Sequence, residues 1–195
     1  MQDEVTEQTG GRTPAAPAVP VSGGGRTVPV PSSSRMCAAY LGDIEQLLDA
    51  HRGEAALRDA LDLPRIAVAL SDPQLRCTRD QVYKWCEQWV RPPGAERDAH
   101  GLDHEHLCRS IIERLTQSAD IESVPMRALR RLQLRRHART LPRGFRAPRF
   151  ADLPSRERES FEISTALIKA ARRWYARSAC HDPVVQANLA RLVLR

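Results

Sequence analysis

The chain has 195 residues, 42% apolar and 28% charged, which suits one packed domain with tails and excludes a collagen or a wholly disordered chain. The longest purely apolar run, Met36 to Leu41, falls far short of the ~20 residues that a membrane-spanning helix needs. The formal net charge is +6 but unevenly placed: residues 1–123 carry 13 basic and 19 acidic side chains, and residues 124–195 carry 17 and 5.

Residues 1–34 hold five prolines and the runs Gly23-Gly24-Gly25 and Ser32-Ser33-Ser34. Such a segment buries too little apolar surface to offset its ordering entropy, so a disordered tail is expected. Asp3, Glu4 and Glu7 without an apolar stretch do not make a secretory signal. The five cysteines are odd in number and include no CxxC, which fits free thiols in a cytoplasmic protein.

The remainder reads as helices. Cys37, Tyr40, Leu41, Ile44, Leu47 and Leu48 recur at helical spacing, with Gly53 as the expected stop. A short helix is expected over Glu54–Leu61. Asp62 is the expected cap of the next, with Pro64 in its first turn. Thr78-Arg79-Asp80-Gln81 has the capping-box pattern and predicts a helix to about Val90, ended by Pro92-Pro93-Gly94. On it Val82, Cys86 and Trp89 share one face, and Trp85 flanks them. Further helices are expected over Asp103–Gln117, from Val124 to about Arg139, over Ser155–Ala179, and from an Asp182 cap to Leu194. No strand pattern appears, so the expected class is all-α: a small helical bundle. The expected organisation is a tail (1–34), a helical domain (35–120) and a basic helical region (121–195) serving dimerisation and phosphate contact.

Between Val124 and Ala151 stand nine arginines and no acid. Arg127, Arg130, Arg131 and Arg135 lie opposite Met126, Leu129 and Leu132 on the expected helix, with Leu134 among the arginines. Arg143, Arg146 and Arg149 follow, interleaved with Phe145 and Phe150. A one-sided positive field attracts polyanions, and this segment is read as phosphate-binding.

Ile66-Ala67-x-x-Leu70, then Cys77-Thr78-x-x-x-Val82-Tyr83-x-Trp85, then Arg91-Pro92-Pro93 resembles the helix-turn-helix of Cro/repressor-type regulators and of resolvase and transposase modules, over about 30 residues. The resemblance implies that 63–90 holds the motif. It makes Thr78 the cap of a recognition helix whose Arg79, Gln81, Tyr83 and Lys84 face double-stranded DNA, with Arg91 on phosphate. It further implies a homodimer, for which the C-terminal helices with Trp174 and Tyr175 are the expected face. The connection Ser71–Arg76 is longer than the family's turn, and residues 35–103 sum to nine basic and twelve acidic groups.

His100, His104, His106 and Cys108 are zinc-ligand types, but their spacing matches no finger, so no metal is assigned. No phosphate loop, GxSxG, HExxH or paired carboxylates stand out, so no catalytic residue and no cofactor is assigned. The sequence is therefore read as a non-enzymatic DNA-binding regulator. The alternative is an assembly subunit whose basic C-terminal part docks an acidic partner or RNA.

Overall fold

The computed structural model describes residues 32–90, 104–117, 124–134, 153 and 155–194. Among the described residues all regular structure is helical, with no strand: α1 Ser32–Asp49, α2 Gly53–Ala60, α3 Asp62–Ser71, α4 Arg79–Trp89, α5 His104–Gln117, α6 Val124–Leu134, α7 Ser155–Trp174 and α8 Pro183–Leu194. Residues 1–31 of the expected tail lie outside the described residues. Ser32–Ser34, expected to belong to that tail, instead open α1.

Helix α3 is the axis of the bundle. Every residue from Asp62 to Leu70 is buried. It packs against α2, α4, α6, α7 and α8. A helix so enclosed is apolar nearly all round, and Leu63, Ile66, Ala67, Val68, Ala69 and Leu70 supply that surface. Helix α7 lies beside it with Phe161, Ile163, Leu167 and Ile168 fully buried, and it touches α1, α2, α3, α4 and α5. One hydrophobic cluster runs from Met36 to Leu192, so helices before and after residue 120 share a core.

Local signals explain most boundaries. Thr78 Oγ1 accepts the Gln81 N–H, and Gln81 Oε1 accepts the Thr78 N–H, closing the capping box that starts α4. Asp182 Oδ1 accepts the N–H groups of Val184 and Val185 and starts α8. The long α3–α4 connection is braced at its root. Asp72 Oδ1 accepts N–H bonds from Gln74 and Arg76, an Asx-type turn. Buried Asn188 of α8 donates to the carbonyls of Leu70 (3.0 Å) and Asp72 (2.8 Å). The Leu70 carbonyl at the end of α3 would otherwise be orphaned, while that of Asp72 also accepts the Leu75 N–H.

Four expectations need correction. Gly53 does not stop α1; it is the first residue of α2. The stop is His51 at φ 53°, with Arg52 N–H bonded to the Leu47 carbonyl and His51 N–H to that of Leu48. This is a Schellman ending with histidine in the left-handed place usually held by glycine. Asp62 is not a cap: Leu61 precedes the helix without a side-chain bond, and the Asp62 carboxylate serves two arginines instead. On α4 the two tryptophans exchange roles, Trp85 being buried and Trp89 only partly so. The expected Ser155–Ala179 helix is α-helical only to Trp174, and Tyr175–Ala179 forms a π-helical turn.

Gly53 is required for another reason. A Cβ there would stand 2.9 Å from the ring of Phe161, which is fully buried. Helix propensity alone favours alanine over glycine by about 1 kcal/mol. The clash reverses that sign, and Gly53→Ala is expected to destabilise the fold by about 1–3 kcal/mol. Urea unfolding checks this; a stabilised variant would show that Phe161 can move aside.

Candidate functional site: the arginine helix and two clefts

Helix α6 turns Ala128, Leu129 and Leu132 inward and leaves Arg127 and Arg130 exposed. Leu134 is 77% exposed at its end. Arg131 behaves differently from its neighbours. Its guanidinium reaches Asp59 at 2.9 Å and Asp62 at 3.0 Å, tying α6 to the junction of α2 and α3. Arg65 approaches the other Asp62 oxygen at 3.4 Å. Arg65 is only 4% exposed, and its Nε and one Nη have no partner. The Tyr40 hydroxyl donates to the Asp59 carbonyl and joins α1 to the same cluster. Two carboxylates and two guanidiniums thus neutralise each other around the buried start of α3. Arg135, Arg143, Arg146, Arg149 and Arg91, read as phosphate-binding, lie outside the described residues, as do Phe145 and Phe150.

Helix α4 exposes Arg79, Gln81 and Lys84 together with Asp80 and Glu87. The charges on this face cancel. Gln81 spends its carbonyl oxygen on the capping box. Tyr83 leans toward α5, where its hydroxyl meets Thr116 Oγ1 at 2.6 Å. Helices α4 and α6 both pack on α3 and share no broad seam with each other.

Two depressions flank the junction of α7 and the π-helical turn. The first is an apolar cleft of about 370 Å³ between α1, α3, α6 and α7, walled by Leu41, Leu63, Ile66, Leu132 and Trp174. Cys37 and Tyr175 also border it. Its size lies within the range of small-ligand and anchor pockets, about 300–1,000 Å³. Arg172 stands on its rim and pairs with Glu45, a buried carboxylate on α1. The second is a polar groove of about 290 Å³ between α4 and the π-turn, bordered by Gln81, Lys84, Trp85, Trp89, Trp174 and Ser178. Trp174 forms part of both walls and is buried within its own chain, so it offers no large face to a dimer partner.

Burial pushes the Cys37 thiol up to about 12 and that of Cys77 to about 11, so neither is a ready thiolate. Among the described residues no group of three His, Cys, Asp or Glu side chains is placed to hold a metal ion. His106 is exposed and Cys108 buried, while His100 and the His104 side chain lie outside the described residues. No described helix is long and apolar enough to cross a membrane. The chain matches no protein-family model, no curated protein and no solved structure.

Sequence reasoning missed the Asp59–Asp62–Arg65–Arg131 cluster and both depressions. A faint signal existed: Arg131 lies three residues after Ala128 and beside Leu132, on the flank of the buried stripe of α6 rather than opposite it.

Arg131→Ala is expected to cost about 2 kcal/mol, below the 3–5 kcal/mol of a fully buried pair because Arg131 is 38% exposed. Arg127→Ala and Arg130→Ala should stay within about 0.5 kcal/mol of the parent. Urea midpoints of the three variants test the distinction, and equal effects would refute it.

Burial also raises the Glu45 carboxyl above its ordinary range, and Arg172 pulls it only partly back. Asp62 is raised in the same way against Arg131 and Arg65. Such a carboxyl takes up its proton in the folded chain while the unfolded chain is still ionised. Stability contributed this way grows as pH falls from neutral toward the ordinary carboxylate range, and is lost as pH climbs through the raised value. Glu45→Gln is expected to flatten that rise in a pH series of thermal melts; an unchanged slope would mean that Glu45 stays ionised throughout.

Proposed function

We propose that the chain is a non-enzymatic docking subunit that binds an acidic, amphipathic partner helix across α6 and the neighbouring apolar cleft. The carrying observation is the juxtaposition on α6. Leu132 helps wall the cleft, while Arg127 and Arg130 stand exposed on the same helix with no ion pair among the described residues. A partner helix with apolar anchors on one side and carboxylates beside them satisfies both features. The surplus of basic over acidic side chains after residue 123 supplies the long-range attraction. The five cysteines are free, which fits a reducing compartment such as the cytoplasm.

A second reading keeps the helix-turn-helix resemblance: α4 enters a DNA groove through Arg79, Gln81 and Lys84 while Arg127 and Arg130 hold phosphate. The capping box and the exposed first turn of α4 favour it. It ranks second because the outer face of α4 carries no net charge and Tyr83 is engaged with Thr116. Phosphate neutralisation drives much of DNA affinity, and such a face contributes little to it. A homodimer belongs with this second reading, since repressor-type modules pair on two half-sites.

A single titration series separates the two. A synthetic Leu/Glu amphipathic helix, the duplex upstream of the protein's own gene and a scrambled duplex are each bound across a range of salt. The expected result is tightest binding of the acidic helix, weakened about tenfold by Arg127→Ala with Arg130→Ala. Tighter binding of the upstream duplex at physiological salt, lost with Arg79→Ala and Lys84→Ala, would replace the docking reading by DNA recognition.

A further inference from the structure

The stretch of chain ahead of α1 carries an apolar run of its own. From Pro14 to Val21 every residue is proline, alanine or valine, with no charge and no hydrogen-bonding side chain. Pro14, Pro17 and Pro20 recur at every third residue, which places them on one side of a polyproline II helix. Upstream stand Asp3, Glu4 and Glu7, with no basic residue before Arg12. We propose that Pro14–Val21 is the occupant of the apolar cleft between α1, α3, α6 and α7, folding back along α1 and masking the cleft from outside partners. The masking rests on the protein-docking reading; the seat itself rests on the cleft and on this run.

Connection favours this segment over any other occupant. Helix α1 starts at Ser32, and Cys37 and Ala38 of the same helix already border the cleft. Five helical residues rise only about 7.5 Å. Residues 22–31, between the run and the helix, extend over at most about 33–36 Å. Gly23-Gly24-Gly25 lie among them and permit the reversal of direction. An occupant tethered this closely competes at an effective concentration in the millimolar range.

The wall matches the run in chemistry. Leu41, Leu63, Ile66 and Leu132 are buried in it, and Cys37 and Tyr175 are half-buried beside them. Trp174 and Tyr175 meet edge to face at 6.4 Å and give the cleft an aromatic side, the setting in which proline-rich segments dock. At about 370 Å³ the cleft is near the small end of ligand sites, which suits proline, alanine and valine better than bulky anchors. Its polar groups are already engaged: the Tyr40 hydroxyl by the Asp59 carbonyl and Arg172 by Glu45.

Charge points the same way. Arg127 and Arg130 are exposed on α6, the helix that brings Leu132 to the cleft. Asp3, Glu4 and Glu7 offer carboxylates to them once the run is seated. One stretch of the chain thus carries the apolar anchors and the acids that a partner helix would have to bring.

The test is made on the full-length protein, with a photo-cross-linking amino acid in place of Thr13. Isotopically light and heavy chains are mixed, irradiated at low micromolar concentration, and their cross-linked peptides mapped by mass spectrometry. Cross-links are expected within one chain, to α1, α6 or the Trp174–Tyr175 stretch. Pro17→Ser, Val19→Ser and Pro20→Ser together remove the anchors without adding charge or touching α1–α8, and should lower the yield about tenfold. Ala38→Glu should lower it from the cleft side, and the serine variant serves on its own if Ala38→Glu does not fold. Cross-links scattered over the surface, cross-links chiefly between light and heavy chains, or a yield unchanged in the serine variant would each overturn the seat. The Leu/Glu amphipathic helix should bind the serine variant about tenfold more tightly than the parent, because the cleft is released. Equal binding by both would overturn the masking. If the cross-links form and the helix binds neither protein, the seat stands and the docking reading fails; if the helix binds and the cross-links do not form, the reverse holds.

Discussion

Enclosing α3 on every side forces a charged pair out of water, because the helix begins with Asp62 and carries Arg65 one turn later. An isolated buried charge is far too costly to persist, so the fold has to answer it. The Asp62–Arg65 contact at 3.4 Å is a weak answer taken alone. Arg131 completes it from α6, and in doing so it also captures Asp59. Three consequences follow from one electrostatic requirement. Helix α6 is pinned to the α2–α3 junction, α1 joins through the Tyr40 bond to the Asp59 main-chain carbonyl, and one arginine of the basic helix is engaged by internal carboxylates. A buried pair of this kind is weak evidence for added stability, yet removing one partner is strongly destabilising. Its effect is to specify which helix lies where.

What could be read from the residues follows the range of the interactions involved. The capping box at Thr78 and the Asp182 cap are interactions between near neighbours, and their chemistry is visible in four letters. Helical periodicity is equally local, which is why the class and most helix spans were legible. The end of α1 was not, because glycine is only the commonest occupant of a left-handed cap. His51 fills that position while Gly53 answers to Phe161, more than a hundred positions away. Asp62 and Arg131 failed for the same reason. Each has a strong local reading, cap or solvent-facing charge, and each is overridden by partners brought by the tertiary fold. Both depressions are juxtapositions of four helices and three elements, and no local pattern encodes them.

The π-helical turn gives those depressions their arrangement. Trp174 ends the α-helical part of α7 and stands in the walls of both cleft and groove. Directly after it the wider turn changes the angular step between residues. Tyr175 falls on the cleft side and Ser178 on the groove side, while Ala179 is buried. The Cys180 N–H bonds back to the Tyr175 carbonyl, which closes the turn before α8 begins. Such insertions recur at functional sites because they re-aim side chains without breaking the helix.

The distribution of charge then separates the two surfaces by kind. Around the cleft the charged groups are largely matched: Arg172 holds Glu45, Arg131 holds Asp59 and Asp62, and the wall itself is apolar. Matched pairs hold a shape and contribute little attraction at a distance, so what this wall presents is chiefly apolar surface. The groove wall is more polar: Lys84 and Ser178 face water, and Asp72 is engaged by the N–H groups of Gln74 and Arg76.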